Sequence, residues 1–62
     1  MQPFDHIYVN KFNQFAALQV LMNNFKDGIY VNIVFDNTQM NPLEQTEFIT
    51  KYYRERDLWE IN

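Results

Sequence analysis

Sixty-two residues of 7.6 kDa allow one domain. A single glycine leaves no room for a dinucleotide fingerprint or a phosphate-cradling loop. The absence of cysteine excludes disulfides, thiolate zinc sites, iron–sulfur clusters and thiol nucleophiles. A net charge of −3 and a pI near 4.7 lack the basic footprint that nucleic acid or an anionic membrane surface selects.

Residues 5–9 (Asp-His-Ile-Tyr-Val) read as a short strand, with Ile7 and Val9 on one face and His6 and Tyr8 on the other. Residues 13–25 read as an amphipathic helix. Phe15, Leu18, Met22 and Phe25 form its stripe, Ala17 and Leu21 flank it, and Asn10 or Asn13 is its N-cap. The alternative is a strand in a hairpin with 29–36. It fits the nearly apolar run 15–22 but loses on spacing and on the helix propensity of Ala16-Ala17-Leu18-Gln19. Gly28 after Lys26-Asp27 suits a left-handed turn position.

Residues 29–36 form the clearest strand. Ile29, Val31, Ile33 and Phe35 make one apolar face; Tyr30, Asn32, Val34 and Asp36 make the other. That second face is half apolar, so it is expected to be covered or to serve as an interface. Residues 42–56 read as a second helix. Asn41 is its N-cap, Pro42 stands at its first position, and Glu44 completes a capping box. Its apolar stripe is Phe48, Ile49, Tyr52 and Tyr53, and Glu47–Lys51 and Lys51–Glu55 have ion-pair spacing. Residues 58–61 (Leu-Trp-Glu-Ile) read as a last strand. The expected fold is a small α+β domain of order β-α-β-α-β, a three-stranded sheet packed by two amphipathic helices over residues 1–62.

The sequence holds few of the side chains that catalysis needs. One histidine, with no serine and no cysteine, cannot make a Ser-His-Asp or Cys-His arrangement. Thr38, Thr46 and Thr50 show no base partner in sequence. His6 beside Asp5 reads as an exposed edge-strand histidine, because sequence neighbours on a strand point to opposite faces. No metal-ligand spacing is present, and no cofactor is expected. No basic amino-terminal region followed by an apolar stretch comes after Met1, so a cytoplasmic location and no membrane association are expected.

Six phenylalanines, four tyrosines and a tryptophan are more than one small core can cover. Phe15, Phe25, Phe35 and Phe48 fall on the core stripes. The tyrosines and Trp59 are the surplus, and tyrosine, tryptophan and arginine are the residue types of contact hot spots. Tyr8, Tyr30, Asn32, Val34, Tyr52, Tyr53 and Trp59 are therefore the expected interface residues. The expectation is a non-enzymatic module that binds a protein partner, is homodimeric, and occludes a surface. Its character is that of a phage or mobile-element inhibitor. The alternative is a nucleic-acid-associated regulator that stacks bases on Tyr8 and Tyr30; the net charge disfavours it.

Overall fold

The structure is a computed structural model that describes residues 6–61, with the side chains of residues 6–58. The element order is β1 (His6–Val9), α1 (Gln14–Lys26), β2 (Asn32–Phe35) and α2 (Pro42–Ile61). The two strands form one parallel sheet in the register His6↔Asn32, Ile7↔Ile33, Tyr8↔Val34 and Val9↔Phe35. Parallel strands need a long crossover, and α1 supplies it. The helices run side by side in the same direction. Phe15 near the start of α1 and Phe48 of α2 line one open cleft, and Phe25 near the end of α1 meets Arg56.

The local signals act as the residue types require. Asn41 and Glu44 close a reciprocal box: the Glu44 N–H donates to Asn41 Oδ1 (2.8 Å) and the Asn41 N–H to Glu44 Oε1 (2.9 Å). The start of α1 is built differently. Asn13 is its N-cap, but the Asn13 side chain makes no bond to the first turn. Asn10 and Asn13 instead each accept the other's backbone N–H on Oδ1, at 2.9 and 2.8 Å. The Asn13 Nδ2 amide donates back to the Tyr8 carbonyl at 3.0 Å. At its end α1 closes with the Ile29 N–H on the Asn24 carbonyl and the Gly28 N–H on the Phe25 carbonyl, a Schellman pair. Gly28 has φ +76°, the left-handed conformation expected of it.

The core consists of Val9, Ala17, Leu18, Leu21, Met22, Met40 and Phe48, with Ile7, Val31, Ile33, Phe35 and Tyr52 packed against it. Phe35 and Phe48 meet edge to face, with ring centroids 5.7 Å apart. The inward face of the sheet is thus the one that strand alternation assigns.

Three expectations are corrected. The sheet has two strands, not three, because residues 58–61 continue α2. After Pro42 the chain has neither glycine nor proline to stop a helix. A four-residue alternation does not outweigh a helix already propagating, whose extension adds one hydrogen bond per residue fixed. β2 is also shorter than 29–36, since His6 pairs with Asn32 and places residues 29–31 beyond the described part of β1. Finally, Phe15 is not core but 73% exposed. The buried stripe of α1 is centred on Ala17, Leu18, Leu21 and Met22, and Phe15 sits at its margin.

Candidate interaction surfaces

Two separate clusters carry the expected interface residues. The first is the outer face of the sheet. Parallel register sets His6 beside Asn32 and Tyr8 beside Val34, and all four side chains are exposed, Tyr8 at 65% and Val34 at 40%. His6 and Tyr8 stack edge to face, with centroids 4.9 Å apart. None of the four is Asp, Glu, Lys or Arg, in a chain with 21% charged residues. Both helices contribute to the core on the other face, and the shortest extent of the molecule is 15 Å, which leaves room for one layer of helices on one sheet.

The second cluster surrounds Arg56 at the far ends of the helices. Its guanidinium carbon lies 4.4 Å from the centroid of the Phe25 ring, 5.0 Å from Tyr53 and 5.5 Å from Tyr52. The Tyr52 and Tyr53 rings are 5.6 Å apart. Phe25, Gly28, Ile29, Tyr30, Tyr52 and Arg56 line a cleft of about 270 Å³. Tyr30, 93% exposed, stands at its rim. Arg56 Nε is buried and has no hydrogen-bond acceptor. No carboxylate among the described residues lies within ion-pair distance of the guanidinium. Burial pushes the Tyr52 phenol above the ordinary tyrosine value, against the pull of the Arg56 charge.

The seven expected residues therefore divide. Tyr8, Asn32 and Val34 share the sheet face. Tyr30, Tyr52 and Tyr53 gather around Arg56. The Trp59 side chain lies outside the described residues, although its backbone belongs to α2. Arg56 and Phe25 are the members that sequence reasoning missed. The i, i+3 and i, i+4 spacing of Arg56 from Tyr53 and Tyr52 carried part of the signal. Phe25 comes from another helix and had none.

The carboxyl ends of both strands lead into polar loops that are tied to each other. Lys11 Nζ lies 3.7 Å from Glu44 Oε2, and the Lys11 N–H donates to Gln39 Oε1 at 3.3 Å. The Gln45 amide donates to Asn37 Oδ1 at 2.8 Å and to the Met40 carbonyl at 2.9 Å. Glu47 and Lys51 do not close to ion-pair distance, nor do Lys51 and Glu55; among the described acids of α2 the one that is paired is Glu44.

Thr38 does have an acidic neighbour, contrary to the expectation from sequence. Its hydroxyl and its N–H both donate to Asp36 Oδ1, at 2.5 and 2.9 Å. These bonds hold the Asp36 carboxyl below the usual aspartate value, which makes it a poorer base. The arrangement is a local turn in which Thr38 is exposed. Among the described residues no three of His, Asp and Glu gather closely enough to hold a metal ion. No helix among them is long and apolar enough to cross a membrane. Comparison with protein-family models, with curated proteins and with solved structures returns no match.

Proposed function

We propose that the protein is a non-enzymatic, self-associating binding module of the cytoplasm that modulates a partner protein by occupying its surface. The observation that carries this reading is the sheet face that no described residue covers, with Tyr8 and Val34 in register and no Asp, Glu, Lys or Arg among its four exposed side chains. The occupant of that face is a second copy of the chain. Two copies carrying −3 each repel, and a face without Asp, Glu, Lys or Arg is where that repulsion is least. Area points the same way. The chain exposes 4931 Å². A compact monomer of this mass exposes roughly 4,300 Å², so the surplus is about 600 Å². One partner's share of a standard interface is about 800 Å². The dimer is accordingly expected to be modest and concentration-dependent.

Self-association through the sheet leaves the Arg56 cluster free, and its tyrosines and arginine are the hot-spot types for a partner protein. Base stacking gains nothing here. Tyr8 and Tyr30 belong to different clusters, and Lys11 is engaged with Glu44.

Sedimentation equilibrium tests the reading. The wild-type chain should shift from monomer to dimer across the micromolar range. Val34→Asp should stay monomeric with its circular dichroism unchanged. A wild-type chain that remains monomeric at millimolar concentration would overturn it.

A further inference from the structure

We propose that the cleft between the end of α1 and the second half of α2 is a seat for a carboxylate carried on an apolar or aromatic group. The case starts from charge. Arg56 carries a planar, delocalised guanidinium, yet in a chain with eight acids no described carboxylate pairs with it. Its guanidinium is held by ring faces at 4.4, 5.0 and 5.5 Å. Ring faces attract the cation but accept none of its N–H bonds well. The Tyr52 hydroxyl shares a side-chain hydrogen bond with the guanidinium, while the buried Arg56 Nε has no acceptor. A planar fork of donors matches a carboxylate in bidentate geometry better than any neutral acceptor.

The rest of the cleft selects what carries the carboxylate. Its walls are Phe25, Ile29, Tyr30 and Tyr52, with Gly28 contributing no side chain at the rim. Nothing lies within 4 Å of where a Gly28 Cβ would stand. About 270 Å³ suffices for one ring or branched side chain with its carboxylate. Two sources share this chemistry, a free organic acid and the carboxyl-terminal residue of a partner chain. The inference deepens the partner-binding reading above and is independent of the sheet face, so titration and sedimentation fail separately.

The test is a titration of the whole chain followed by amide and Arg Nε–H resonances. The probes are 3-phenylpropionate and its primary amide, and a short peptide ending in phenylalanine with a free or an amidated terminus. The acids should shift Gly28, Ile29 and the Arg56 Nε–H at millimolar concentration. The amides should bind at least about tenfold more weakly, as loss of a charged hydrogen bond requires. Arg56→Gln should abolish the preference for acid over amide. A peptide acid that binds tighter than the free acid assigns the source to a chain terminus, and equal binding assigns it to a small acid. Equal shifts from acid and amide, or none from either, would overturn the proposal. That comparison uses the wild-type chain, so it decides the matter even if Arg56→Gln unfolds.

Discussion

Gly28 is constrained by its backbone and not by its surroundings. Its φ is +76° and no atom would meet an added Cβ. Gly28→Ala should therefore cost about 1–2 kcal/mol, the left-handed penalty alone, while Gly28→Asn should cost less. Urea denaturation reads both. Asp36 shows how a single turn sets a pH dependence. Its carboxyl is lowered by the Thr38 hydroxyl first and the Thr38 N–H next. A lowered carboxyl contributes stability that is present above the ordinary aspartate value and is lost as pH falls through the folded value. Thr38→Val should flatten the acid limb of stability against pH. Tyr52 has the opposite sign. Its phenol is raised chiefly by burial, so its contribution is complete below the ordinary tyrosine value and disappears as pH rises past it. Tyr52→Phe should remove that part of the alkaline limb, measured as the free energy of unfolding at stepped pH.

At the scale of elements, the two helices begin by different means and should respond differently to the same change. The Asn41–Glu44 box is reciprocal, with each residue's side chain bonded to the other's N–H. Asn41→Ala should cost about 0.5–2 kcal/mol. Glu44→Ala should cost more than its share of the box, since Glu44 also meets Lys11. A double-mutant cycle in thermal unfolding should show coupling between Asn41 and Glu44. The helix start at 41–44 was legible because a capping box is local. The end of α2 was not. Leu58-Trp59-Glu60-Ile61 has a period of two by itself, and only the uninterrupted turn before it decides for helix. Carbon chemical shifts of 58–61 should be helical. Phe15 went astray for a related reason. Periodicity places it near the apolar stripe, but which edge of a stripe is covered depends on where α2 lies.

At the scale of the molecule, one layer of helices on a two-stranded sheet leaves the opposite sheet face uncovered by the described residues. A third strand would not have changed that, because strands extend a sheet sideways and do not cover its faces. The self-association inferred for the open face should make the midpoint of thermal unfolding rise with protein concentration. Val34→Asp should remove the dependence, and Tyr53→Ala, on the other cluster, should leave it intact.

Composition and spacing alone determined the absence of thiol and serine nucleophiles, the two helices, both strands of the sheet, the inward face of each strand, the capping box and the left-handed glycine. All of these are properties of residue type or of neighbours within one or two turns. The tertiary structure alone decided how the seven expected interface residues divide, because alternation along a strand states which side chains share a face but not which elements meet. Tyr30, sequence neighbour to the sheet residues, falls in with Phe25, Tyr52 and Arg56 because α1 and α2 bring their far ends together there. The guanidinium among those rings, with no described carboxylate on it, has no counterpart in the linear pattern, since the rings lie on two helices separated by a strand.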